Sequence, residues 1–192
     1  EDGREPPTLY IVVPRDGGED WTIKFATGKG IFVKNDARLM IMGTPENKIV
    51  MDSDSDTGTW LGFVFKDNDE AGSELYYVEV RKAKMDLGSY SGNGFSGNDV
   101  YGDGTLNSGE HAIRYTTIVA ERSIVKLVGV ELYGDGSTNN YAGVLSYDSA
   151  VQIEGSSIED YKGGNPSESK GVCIFQPSPY HFESIPQDII GV

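Results

Sequence analysis

Apolar residues in this chain come in short runs: Leu9 to Val13, Trp21 to Phe25, Ile31 to Val33, Leu39 to Met42, Ile49 to Met51, Leu61 to Phe65 and Leu75 to Val80. Each is too short for a helix and each ends in turn-forming residues. Trp21, Ile23 and Phe25 alternate with Thr22 and Lys24, the pattern of a half-buried strand. Between the runs lie Thr27-Gly28-Lys29-Gly30, Lys34-Asn35-Asp36 and Gly43-Thr44-Pro45-Glu46-Asn47, clusters suited to corners because Gly accepts positive φ and Pro fixes its own. Residues 38–65 therefore read as strand, turn, strand, turn, strand, one coil of a solenoid.

The second half repeats at an offset of 28, which pairs Val130 with Ile158, Tyr133 with Tyr161, Gly143 with Gly171, Val144 with Val172 and Leu145 with Cys173. Such a period is one coil plus its corners. Stacked coils are expected to set Val130 over Ile158 and Tyr133 over Tyr161. Tyr76 and Tyr77, adjacent in the Leu75 to Val80 run, are expected on opposite faces of one strand. Residues 86–110, rich in Gly, Asn and Ser, break the pattern and read as a long loop leaving the coil. The expectation is an all-β chain, a single right-handed parallel β-helix domain over residues 1–192.

Composition narrows the function. With 30 Asp and Glu against 16 Lys and Arg, the formal net charge is -14, which disfavours nucleic acid and anionic membrane surfaces as partners. No apolar run is long enough to span a membrane, so no membrane insertion is expected. The single cysteine, Cys173, excludes a disulfide framework within the chain and a multi-cysteine metal cluster. The chain opens at Glu1-Asp2-Gly3 without an initiator Met or a signal peptide, as a mature secreted protein does, so an extracellular or cell-surface location is expected.

The succession TIKFATGKGIFVKNDARLMIMGTPENKIVMDSDSD, followed by GTWLGFVF and GSELYYVEV, resembles the right-handed parallel β-helix repeat proteins of prokaryotic cell surfaces, with pectin-lyase-like architecture. The likeness covers roughly residues 20–83, and Lys48 stands where that family's corner has a second Pro. It implies a fold and no single activity.

Candidate chemistry is sparse. Asp52, Asp54 and Asp56 alternate in an acidic turn and are the candidate calcium ligands, with calcium the one cofactor considered; a solvated acidic corner is the other reading. An EF-hand is excluded because Thr57 and Phe63 stand where Gly and Glu are required. Tyr90, Phe95 and Tyr101 in the loop, with Tyr133 and Tyr161 on the coils, are candidate sugar-stacking residues. Packing against neighbouring coils is the alternative for Tyr133 and Tyr161. A solenoid must cover or pair its ends, so Leu9, Ile11 and Val13 at one end and Ile185, Ile189 and Ile190 within residues 185–192 at the other are candidate docking residues. The expected function is a non-catalytic surface or structural protein that assembles head to tail with copies of itself or binds extracellular polysaccharide. The alternative is a polysaccharide lyase or hydrolase, for which Arg81, Lys82, Lys84, Arg114, Arg122 and Lys126 are the available cations.

Overall fold

The computed structural model describes residues 5–13, 20–86, 115–134, 142–161 and 170–175. These residues form no helix; the chain is a parallel β-solenoid of about four turns. Its strands are β1 (Thr8–Val12), β2 (Trp21–Phe25), β3 (Gly30–Lys34), β4 (Arg38–Met42), β5 (Ile49–Ser53), β6 (Gly62–Tyr76), β7 (Val78–Arg81), β8 (Met85–Asp86), β9 (Tyr115–Val128), β10 (Glu131–Tyr133), β11 (Ala142–Tyr147), β12 (Ala150–Glu154), β13 (Ser157–Glu159) and β14 (Lys170–Phe175).

Pairing sorts the strands onto three faces. The first carries β1, β4, the end of β6, the end of β9 and β12; the second β2, β5, β7, β10 and β13; the third β3, the start of β6, the start of β9, β11 and β14. Every pair along these faces is parallel; only β8 runs antiparallel, with Met85 opposite Thr116. The expected coil at residues 38–65 is present, since β4, β5 and the start of β6 occupy the three faces in turn.

Side chains that point inward at alternate positions stack into ladders. Ile11, Ile41, Leu75, Leu127 and Ile153 form one on the first face. Ile23, Met51, Val80, Leu132 and Ile158 form another on the second. On the third face the series is Ile31, Phe63, Ile118, Val144 and Val172. Between them lies Trp60, fully buried and stacked on Phe25 with ring centroids 4.2 Å apart. Burial of these apolar ladders drives the fold, because a single coil cannot cover its own inward face.

All three corners are built on left-handed backbone, and not only with glycine; where the second face turns into the third the residues are Gly28, Gly62, Lys82 and Asp160. Asn35, Asp36, Asp67, Arg122 and Asp148 have φ between 45° and 62° and stand in column where the third face turns into the first. Asn and Asp tolerate this region; Arg122 is held in it by its ion pairs with Asp67 and Glu121. Tyr77, at φ 49°, turns the first face into the second.

These corners correct three sequence expectations. The offset of 28 holds for Val144 opposite Val172 and Leu145 opposite Cys173, but on the second face the offset is 26, with Leu132 opposite Ile158 and Tyr133 opposite Glu159. Val130 does not pair with Ile158, nor Tyr133 with Tyr161, because the corners after β10 and β13 differ in length. Tyr76 and Tyr77 do not share a strand, since Tyr77 is the corner and β7 begins after it. Asp86, expected to open the loop, still belongs to β8; most of the 86–110 stretch lies outside the described residues.

Candidate functional site

Among the described residues, the inward ladders end uncovered at the first coil. Leu9 and Leu39 occupy equivalent inward positions on β1 and β4, yet Leu9 is 58% exposed and Leu39 1%. The same contrast separates Trp21, 49% exposed, from Ile49, at 2%, across β2 and β5. Tyr10, Val12 and Met42 extend this apolar surface around the outer side of the first face, and Phe32 around the third. Among the described residues, β1, β2 and β3 each pair along one edge only. Such an edge presents a row of N–H and C=O groups ready to pair with another strand.

Of the expected docking residues at this end, Leu9 is exposed, Ile11 is half-buried and Val13 is buried, its N–H donating to the Met42 carbonyl at 3.2 Å. Sequence reading missed Tyr10, Val12, Trp21 and Phe32. The inward parity of Trp21 in the first coil was the available signal. Ile185, Ile189 and Ile190 lie outside the described residues.

The acidic turn is divided. Asp52 is buried at the end of β5, where its carboxylate takes Lys24 Nζ at 3.1 Å, Lys82 Nζ at 4.0 Å and its neighbour's N–H, that of Ser53, at 2.7 Å. Asp54 and Asp56 are exposed in the turn that follows. Among the described residues no three His, Cys, Asp or Glu side chains gather to hold a metal ion. Two lysines already supply the positive charge that a calcium ion would bring to Asp52.

The outer side of the second face is a charged pad. Lys24, Asp52, Arg81, Tyr133 and Glu159 follow one another down a column, and Glu79 and Glu131 stand in the next. Arg81 bonds Glu79, and Lys48 Nζ reaches Glu131 at 2.6 Å. Tyr133 lies half-buried in this pad, with its hydroxyl donating to Glu131 at 3.4 Å. Burial, then the charge of Glu131, raises its pKa. Tyr161 is elsewhere, buried in the core with its hydroxyl 2.7 Å from that of Thr117, so it presents no ring to a sugar. Tyr90, Phe95 and Tyr101 lie outside the described residues.

The cations considered for lyase chemistry are engaged within the fold. Arg122 bonds Asp67 and Glu121, Lys82 faces Asp52 and the Ser55 carbonyl, Lys126 lies 3.9 Å from Glu154, and Lys84 sits over the Tyr115 ring at 4.7 Å. Arg114 lies outside the described residues. The buried Lys66 meets both oxygens of Glu121, at 3.0 and 3.1 Å.

Comparison of the chain with protein-family models, with curated proteins and with solved structures finds no match. The class that the fold defines is the parallel β-solenoid, and its most distinctive surface is the open first coil.

Proposed function

We propose that this chain is a non-catalytic structural module of the cell exterior that associates with copies of itself through its first coil. The observation that carries this reading is the exposure of Leu9 and Trp21 at positions that the next three coils bury, as Leu39, Ser73 and Val125 and as Ile49, Val78 and Val130. Exposed apolar side chains beside three unpaired strand edges are the kind of surface that soluble monomers avoid and interfaces use. The resemblance of residues 20–83 to cell-surface β-helix repeats supports the location. The pairing of the candidate lyase cations with carboxylates or rings of the fold supports a structural role over a catalytic one.

Sedimentation equilibrium of the 192-residue chain tests the reading. The expected result is an average mass that rises with concentration, accompanied by a blue shift of Trp21 fluorescence in a Trp60→Phe background. The Leu9→Lys, Trp21→Lys variant is expected to remain monomeric with its melting temperature little changed, because both side chains are exposed in the single chain. A chain that stays monomeric up to its solubility limit would overturn the proposal.

A further inference from the structure

Resting on that reading, we infer that the partner is a second copy stacked end to end in register, with its first coil on the last coil of the copy before it. All three inward ladders point to this arrangement. On the first face the series begins at Ile11 and ends at Ile153; on the second it begins at Ile23 and ends at Ile158; on the third it begins at Ile31 and ends at Val172. All six terminal residues are β-branched and half-buried, the state of a ladder lacking one neighbour. Stacking places Ile11 on Ile153, Ile23 on Ile158 and Ile31 on Val172, and each ladder continues across the junction without a change of chemistry.

Charge fixes the polarity. The outer column of the second face starts with Lys24 and closes with Glu159, both exposed. In the stacked copy Lys24 stands beside Glu159, repeating between molecules the Lys24 to Asp52 pairing within one. Because the first coil of one copy meets the last coil of the next, the contact is heterologous and does not close, so the product is a filament. Its strands continue the solenoid at a rise of about 4.8 Å per coil.

Charge exchange tests the register. Lys24→Glu and Glu159→Lys each place like charges at the junction, and each alone is expected to weaken association roughly fivefold to tenfold. Mixing the two variants restores it, since every junction between unlike copies then joins opposite charges. Lys24→Glu also faces Asp52, so a second test avoids that site. Val12 and Glu154 begin and end another outer column, so in stacked copies their Cα atoms come to about 4.8 Å, within disulfide range. In a Cys173→Ser background, Val12→Cys with Glu154→Cys is expected to oxidise to a ladder of multimers, and either substitution alone to nothing beyond a dimer. A wild-type chain that associates without recovery on mixing and without the multimer ladder would overturn the register and leave self-association standing, as would assembly that stops at two copies. A monomeric wild type would overturn both.

Discussion

Lys66 and Glu121 stand opposite each other on adjacent coils, joined at 3.0 Å, with side chains 8% and 1% exposed. Opposite charges withdrawn from water in this way contribute little net stability, but each depends on the other. Glu121→Ala leaves the Lys66 ammonium without the carboxylate that faces it and frees Arg122 from one of its two partners. The expected loss is roughly 3 to 5 kcal/mol in urea unfolding. Lys66→Met combined with Glu121→Leu is expected to lie within about 2 kcal/mol of wild type. A double variant as unstable as Glu121→Ala would show that the pair has a role beyond mutual neutralisation.

Gly28 and Gly62 share nearly the same backbone, at φ 73° and 75°, and differ in their surroundings. A Cβ on Gly28 meets nothing within 4 Å, whereas on Gly62 it falls 2.1 Å from the Thr117 carbonyl of the adjacent coil. Gly28→Ala is expected to cost only the left-handed penalty, about 1 to 2 kcal/mol. Gly62→Ala must also part β6 from β9 and is expected to cost more than about 3 kcal/mol. Equal losses in paired melts would contradict the close approach of these coils.

The strands were legible because apolar and polar residues alternate along them: the Trp21, Ile23, Phe25 alternation forms β2, and the Gly43 to Asn47 corner, closed by Thr44 and Asn47 bonding each other's carbonyls, appears as read. Register was legible on the third face, where Val144 meets Val172 and Leu145 meets Cys173, and not on the other two. β6 and β9 run for 15 and 14 residues through a corner made by Asp67 or Arg122, and neither residue is a glycine or proline that would mark the place where the strand turns left-handed. Asp52 reads in the sequence as a cation ligand, and the lysines that face it come from elsewhere in the fold, Lys24 on β2, 28 residues away, and Lys82 in the corner after β7. Tyr161 resembled a repeat of Tyr133, yet Asp160, at φ 61°, turns the chain so that Tyr161 enters the core. The first coil's end was read in the sequence at Leu9, Ile11 and Val13, whereas Trp21 joined it only once the topology showed which coil has one neighbour.

Trp60 joins two faces through one side chain. Its ring stacks on Phe25, meets Phe63 edge-on at 5.4 Å, and its Nε1–H donates to the Arg81 carbonyl at 2.8 Å. Trp60→Ala opens a cavity where no other residue can follow and is expected to cost roughly 3 to 5 kcal/mol. Trp60→Phe keeps most of the packing but leaves the Arg81 carbonyl without its donor, and is expected to cost about 1 to 3 kcal/mol. Calorimetric melts of the two variants check the order; a Phe variant as damaged as the Ala variant would assign the stability to the hydrogen bond.

Three groups on the solenoid surface have pKa values raised above their ordinary ones, which gives the protein an alkaline limit. Lys48 is raised from 10.5 chiefly by its hydrogen bond to Glu131, and Tyr76 from 10.0 by donating to Glu74 at 2.5 Å. Tyr133 is raised from 10.0 by burial and then by Glu131. In each case the folded chain holds its proton more tightly than the unfolded chain. Where the unfolded state binds fewer protons, stability falls as pH rises. The contribution is therefore complete below about pH 10 and is lost as pH climbs through the raised values. Urea midpoints are expected to hold steady from about pH 8 and then fall toward about pH 11. Tyr76→Phe with Tyr133→Phe removes two of the three groups and is expected to shallow the fall, leaving the part due to Lys48. If the variant loses stability as steeply as wild type over that interval, the tyrosines are not the source.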